Sequence, residues 1–209
     1  MIFYDCSTAP NPRRARMFIA EKGLSPEVRD ISIAKSEQLS DDFLAVNPMA
    51  TLPVLITDEG ETLTENVGIA TYLEAAFPEP ALMGKTALEK GQVARWSAIA
   101  EHQGGAPIAD AFRNSNPHMA GRAIPGPRNH DQIAALAERG FQRVADFFNL
   151  LESRLASTPY LAGDDFTYAD ITGFVLVDFA RVIKTRIPDS NVHTRAWFDR
   201  VKARPSAAL

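Results

Sequence analysis

Cysteine is almost absent from this chain: its 209 residues hold one, Cys6. A single thiol excludes an internal disulfide and leaves no Cys-x-x-Cys dithiol, so any redox chemistry must draw its thiol from a substrate. Long apolar runs are missing too. None reaches the roughly 18 residues that a membrane-spanning helix needs, and no charged-then-apolar leader opens the sequence. We therefore expect a cytoplasmic protein. Excess charge of one sign is also lacking, the formal net charge being -4, and nothing in that balance recruits nucleic acid or an anionic membrane. Arg13, Arg14 and Arg16 form a local basic cluster at the start of an expected helix, where a solvated face accounts for them. No metal is expected. What is present is ordinary for a globular chain, with 45% hydrophobic and 23% charged residues. The length gives room for one large domain or two smaller ones, each with a core.

Hydrophobic periodicity changes character near residue 77. Before it the pattern alternates. Ile2 to Asp5 is expected as a strand, Pro12 to Lys22 as a helix with Asn11 as N-cap and Gly23 as its stop, and Ile31 and Ile33 as a second strand. A short helical piece comes next, around Asp42 to Val46. Val54 to Thr57 and Thr62 to Thr64 flank the turn Asp58-Glu59-Gly60 as a hairpin, and Asn66 to Ala76 is a helix. Strands one and two, joined by a helix, should be parallel with a right-handed crossover. Pro78, Pro80 and Gly84 then break the pattern, and the remainder of the chain reads as helical. The expected division is 1–77, a linker at 78–86, and an all-α segment at 87–209.

In that second half, Lys90 to about Phe112 is expected as one long helix with Val93, Trp96, Ile99 and Ala100 inward. Asn114 to Asn129, rich in Pro, Gly and Asn, is long enough for a functional loop. Ile133, Leu136, Gly140, Val144, Phe147, Leu151 and Leu155 recur at helical spacing as a buried stripe. Thr167 and Asp170 then have the spacing of a capping box, with Phe166 and Ile171 as its hydrophobic staple. We assign that pair a structural role.

The segment richest in chemical implication is Asn47-Pro48-Met49-Ala50-Thr51-Leu52-Pro53-Val54-Leu55. A proline directly before a strand, behind an Asn-Pro turn, predicts a cis peptide bond. Because Pro53 has no N–H to give, Leu52 can turn its own N–H and C=O outward to an extended peptide, a strand addition on a small scale. Here the chain resembles the cytosolic glutathione transferases. Two further segments agree: Gly84-Lys85-Thr86-Ala87-Leu88-Glu89-Lys90-Gly91, and Tyr160 to Ile171 with its Tyr-x-Ala-Gly-Asp-x-Phe-x-x-Ala-Asp-Ile pattern. Together with Tyr4-Asp5 they look closest to a bacterial and fungal branch, and the resemblance spans essentially the whole chain. It implies a thioredoxin-like α/β N-terminal domain followed by an all-α helical domain.

The resemblance also implies glutathione as co-substrate and a set of residues to hold it. Leu52 and Pro53 would meet its cysteinyl part. Glu65 and Asn66, at a helix start, would meet the γ-glutamyl group, with Asn66 where the family usually has Ser. Gln38, or Lys35, would meet the glycyl carboxylate. The thiol end departs from the family. A free thiol ionises near 8.5, and lowering that by roughly 2 units takes about 2.7 kcal/mol of thiolate stabilisation. The position that holds Ser or Cys in several classes is Ala9 here, and no tyrosine ends the first strand. Asn11 and Ser7 are the remaining side-chain donors, and in this branch a water or a helical-domain residue can assist. His102, Phe112 and Arg113 are expected to line the second-substrate site, which in the family lies between the domains.

The expected activity is transfer of the glutathione thiolate to small hydrophobic electrophiles, a detoxification reaction, by a homodimer. Two alternatives stand beside it: a glutathione-dependent disulfide or peroxide reductase, and a non-catalytic ligand-binding protein of the same fold.

Overall fold

The computed structural model describes residues 1–209. Two compact units make up the chain, Met1–Pro80 with Ile124–Asn129 and Leu209, and Ala81–Ala123 with His130–Ala208. In the first, strands β1 (Ile2–Asp5), β2 (Glu27–Asp30), β3 (Val54–Ile56) and β4 (Thr62–Thr64) alternate with helices α1 (Pro10–Glu21), α2 (Asp41–Val46) and α3 (Asn66–Ala76). The sheet order is β2-β1-β3-β4, with β1 and β2 parallel and the other pairs antiparallel. This is the thioredoxin-like arrangement expected. Tyr4, Cys6, Phe43, Leu52 and Val54 form one core cluster, against which Ala9 and Ile31 pack.

Two expected elements move. The second strand is Glu27–Asp30, all four residues exposed, and not Ile31 to Ile33. It is an edge strand whose outward charges discourage further pairing. Ile31 instead packs on the core cluster, and Ile33 begins a 3-10 turn. Helix α1 starts at Pro10, with Ala9 as N-cap, so Asn11 is the second helical residue and not the cap. Proline fits the first helical position because its missing N–H would have had no helical partner there.

The second unit is helical throughout. The expected long helix is a rod in three parts: α4 (Ala87–Ile99), a π-helical turn (Ala100–Gly105) and α5 (Ala106–Ser115). The turn has an identifiable cause. In its wide register the N–H of Ala106 reaches the carbonyl of Glu101, and the next donor, due at the carbonyl of His102, would be residue 107, a proline with no N–H. Arg143 Nη2 fills the gap, donating to His102 O at 2.6 Å. Val93, Trp96 and Ala100 are buried as expected.

Helix α6 (Ala134–Leu155) carries the expected apolar stripe from Ala137 to Leu155, while Ile133, its N-cap, is 54% exposed. Gly140 lies where α6 crosses α5, and a Cβ there would sit 2.7 Å from Ala111 N and from Pro107 O. Both are main-chain atoms and cannot swing aside. Gly140→Ala is therefore expected to push the helices apart and lower stability by about 1–3 kcal/mol. An unchanged denaturant midpoint for that variant would mean the helices do not pack this tightly.

Helix α7 (Tyr168–Phe179) is almost wholly buried and α8 (Val192–Lys202) packs beside it. No helix is long and apolar enough to cross a membrane.

Candidate functional site

Sheet register brings four of the expected glutathione residues, Leu52, Pro53, Glu65 and Asn66, to one end of the first unit. Tyr4 pairs with Val54 and Val54 with Thr64. Continuing both registers by two residues brings Leu52 level with Cys6 on one side and Asn66 on the other. Both neighbours turn away there, β1 into the loop before α1 and β4 into α3. Leu52 is consequently left with no hydrogen bond to its N–H or its C=O. The Leu52–Pro53 peptide is cis, as expected. The turn before it is tied by Asn47, a 2% exposed side chain whose Nδ2 donates to Thr51 O at 2.8 Å and whose Oδ1 accepts from Met49 N at 3.1 Å. Sequence reasoning gave Asn47 no role of its own. The Asn-Pro pair was the available signal, since Asn caps turns through its own side chain.

The helix termini on either side of Leu52 differ in what they offer. At α3, the N–H groups of Asn66, Val67 and Gly68 are uncommitted, and the first bonded one is Ile69 N to Glu65 O. Three free donors and the positive end of the dipole suit a carboxylate. Glu65, exposed, holds φ +60°, a region that a residue with a Cβ adopts at a cost of about 1–3 kcal/mol. Asn66 is 5% exposed and its side-chain Oδ1 is buried without a hydrogen-bond partner. Gln38, in the 3-10 turn Glu37–Leu39, is 4% exposed, and its Oε1 is likewise buried without a partner. A buried acceptor left unpaired costs about 1–3 kcal/mol unless a ligand N–H or O–H donates to it. Lys35 is exposed to solvent.

Helix α1 is poorer in donors. Pro10 and Pro12 have no N–H, and Arg13 N reaches Ala9 O at 3.3 Å, so Asn11 has the single free N–H of its first turn. Upstream, Cys6 N donates to Asp5 Oδ1 (2.7 Å), Ser7 N to Asp30 Oδ1 (3.3 Å) and Ala9 N to Cys6 O (3.0 Å). Arg16 braces the same loop, its Nη1 2.5 Å from Asp5 Oδ1 and its Nη2 3.4 Å from Ser7 O. The exposed Asn11 side chain turns its Oδ1 to Arg14 Nη1 at 3.4 Å. Asp5, Arg16 and Thr8 were not among the expected site residues.

The other expected site residues lie in the helical unit. His102 is exposed on the π-helical turn. Phe112 is half-buried and meets Phe179 edge-on at 6.1 Å. Arg113 braces the loop after α5, donating to Arg122 O at 2.7 Å and Ala123 O at 3.2 Å. Its burial, with Arg122 nearby, pulls its pKa below the usual guanidinium value.

Residues 8–76 match the family model "Glutathione S-transferase, N-terminal domain" and residues 115–205 match "Glutathione S-transferase, C-terminal domain". The chain belongs to the glutathione transferase family. Among the family's curated members, glutathione S-transferase 2 of Saccharomyces cerevisiae is 33% identical over 208 residues, covering 99% of this chain and 87% of that protein. The solved structure of Gtt2 from Saccharomyces cerevisiae superposes with a TM-score of 0.90 at 32% identity, covering 100% of this chain and 99% of that one. A transferase of class Gtt2 from Vibrio parahaemolyticus gives 0.83 at 29% identity, covering 99% and 94%.

Proposed function

We propose that this chain binds glutathione at the Leu52 end of its sheet and transfers the thiolate to a small hydrophobic electrophile. The observation that carries the reading is the bare main chain of Leu52 between two helix N-termini of unequal donor strength. The cysteinyl part would pair with Leu52 N–H and C=O beside Pro53. The γ-glutamyl carboxylate fits the three free N–H groups of α3, with Asn66 adding its amide and Glu65 accepting from the ammonium. Gln38, with Lys35 outside it, would serve the glycyl carboxylate. That direction leaves the thiol on the α1 side, where the donors lie between Ser7 and Asn11. Held there, the thiolate meets its electrophile at high effective concentration.

His102, Phe112 and Arg113 are proposed as contacts of the electrophile. We place the glutathione-binding domain at 1–77, the linker at 78–86 and the helical domain at 87–209. A cytoplasmic homodimer engaged in detoxification fits the family.

Calorimetric titration with glutathione, followed by a conjugation assay with an activated chloronitrobenzene, tests the reading. One glutathione per chain with thioether formation is expected. Two per site with disulfide cleavage would make the protein a reductase instead, and no binding would leave a ligand-binding protein that merely shares the fold. Glu65→Gly separates stability from function at this site. Relief of the positive φ should leave stability unchanged or raised by up to about 1 kcal/mol, while the glutathione Kd rises about tenfold. A stability loss above about 1 kcal/mol would show that Glu65 is held there for structural reasons.

A further inference from the structure

The first turn of α1 cannot solvate a thiolate in the ordinary way. A helix start usually offers several free N–H groups to an anion, but Pro10 and Pro12 remove two and Arg13 is bonded back to Ala9 O. Asp5 and Asp30 take the N–H groups of Cys6 and Ser7 in turn. From Cys6 to Arg13, two main-chain donors stay uncommitted, Thr8 N–H and Asn11 N–H. The choice among side chains narrows in the same way. Ala9 has no donor. The peptide of Ser7 is held toward the β2 edge by Asp30 and toward α1 by Arg16, and the Asn11 Oδ1 is taken up by Arg14 Nη1.

Thr8 is placed otherwise. Its Oγ1 lies 3.6 Å from Cys6 Sγ, and Cys6 is the residue level with Leu52 in the continued register and its partner in the core cluster. The hydroxyl therefore stands beside the point where a peptide paired with Leu52 presents its side chain; with the Cys6 S–H donating to Oγ1, one of the two directions that contact allows, the Thr8 O–H and N–H both remain open. We infer that Thr8 is the side-chain donor to the glutathione thiolate. On this assignment, which rests on the glutathione reading above, the thiol proton leaves to solvent and the Thr8 hydroxyl keeps its own proton, donating it to sulfur as a hydrogen bond. Asn11 N–H is the main-chain donor alongside.

The test is the ultraviolet thiolate absorbance of bound glutathione against pH, for wild type, Thr8→Val, Thr8→Ser, Ser7→Ala and Asn11→Ala. S-methylglutathione, which has no ionisable thiol, serves as a binding control. Thr8→Val keeps the shape and the β-branch of an exposed residue and removes only the hydroxyl. It is expected to raise the bound thiol pKa by about one unit, a tenfold loss of thiolate at a fixed pH below the pKa. Conjugation kcat/KM should fall about tenfold at pH 6.5 and far less at pH 9, with S-methylglutathione affinity unchanged and Thr8→Ser restoring the shift. An unchanged pKa in Thr8→Val overturns the assignment, most directly if Ser7→Ala or Asn11→Ala moves it. Wild type that binds S-methylglutathione yet leaves the glutathione thiol pKa at its free value overturns Thr8 while sparing the binding site. Failure to bind S-methylglutathione removes the glutathione reading itself, and Thr8 with it.

Discussion

Asp170→Ala is expected to lower stability by about 3–5 kcal/mol. The carboxylate is fully buried and accepts four hydrogen bonds: from Leu161 N (2.8 Å), Trp197 Nε1 (2.9 Å), Thr167 N (3.0 Å) and Thr167 Oγ1 (3.1 Å). Truncation strands three donors that cannot rotate away, two on the main chain and one on an indole, at about 1–3 kcal/mol each. Relief from burying a charge offsets part of that sum. The capping box is thus the knot that joins the start of α7 to the Tyr160–Gly163 turn and to α8. A drop below about 1 kcal/mol in chemical denaturation would mean that water or a rearranged loop takes over these donors.

The same residue makes stability depend on pH in a direction opposite to most carboxylates. Burial pushes the Asp170 pKa up to about 6, the four donors holding it back only in part. An unfolded Asp ionises near 3.9. Below that value both states are protonated and the contribution is fully present. As pH rises through the folded value the unfolded chain has already released its proton and the folded one must do the same, so stability declines by about 3 kcal/mol between roughly pH 4 and 6. Asp170→Asn has no such titration. The gap between wild type and Asp170→Asn should therefore narrow as pH rises across that window, and a gap that stays constant would place the folded pKa near the unfolded one.

How far the chain could be read without coordinates depended on whether local chemistry or long-range packing decided each element. β1 and α3 have the bounds that alternation and helix-start chemistry indicate. So does the capping box of Thr167 with Asp170; the one of Thr86 with Glu89 went unread, and it starts the helix at Ala87, three residues ahead of the expected Lys90. The Gly84–Gly91 and Tyr160–Ile171 segments that carried the family resemblance turn out to be folding devices of this kind. Gly84, at φ +87°, lies so close to the main chain of Glu89 and Lys90 that a Cβ would approach Lys90 N to 2.6 Å.

Elements whose fate is decided elsewhere were harder to read. Nothing in Glu27-Val28-Arg29-Asp30 marks a strand, because pairing with β1 makes it one while its side chains stay in water. The π-helical turn depends on Pro107 together with an arginine 36 positions further on. In the site, Leu52, Pro53, Glu65 and Asn66 were legible because a proline and a helix start mark them locally. Thr8 was not, since its standing comes from what Asp5, Asp30 and two prolines withhold from their neighbours.

Lys22→Met is the second substitution expected to have a large effect, lowering stability by about 3–5 kcal/mol and weakening glutathione binding at a distance. The Lys22 ammonium has no solvent exposure and uses all three of its protons: on Glu74 Oε2 at 2.5 Å, Pro80 O at 2.6 Å and Phe77 O at 2.8 Å. It ties the end of α1 to the end of α3, where a cation also complements the helix dipole. Methionine keeps the stem and removes the charge. Glu74 then loses the Lys22 charge in a setting where the carboxylate is only 16% exposed, and removing one half of a buried ion pair is damaging. Lys22→Arg should not rescue it, because a planar guanidinium cannot direct donors to three partners spread around a point charge. The far ends of α1 and α3 flank Leu52, so loosening this joint lets the Asn66 and Asn11 donors drift relative to each other. The glutathione Kd should then rise severalfold in protein that is still folded. If Lys22→Met stays within about 1 kcal/mol of wild type in urea, well short of the cost of a broken buried pair, Glu74 is satisfied without Lys22, and the joint between the two helices does not owe its rigidity to this ion pair.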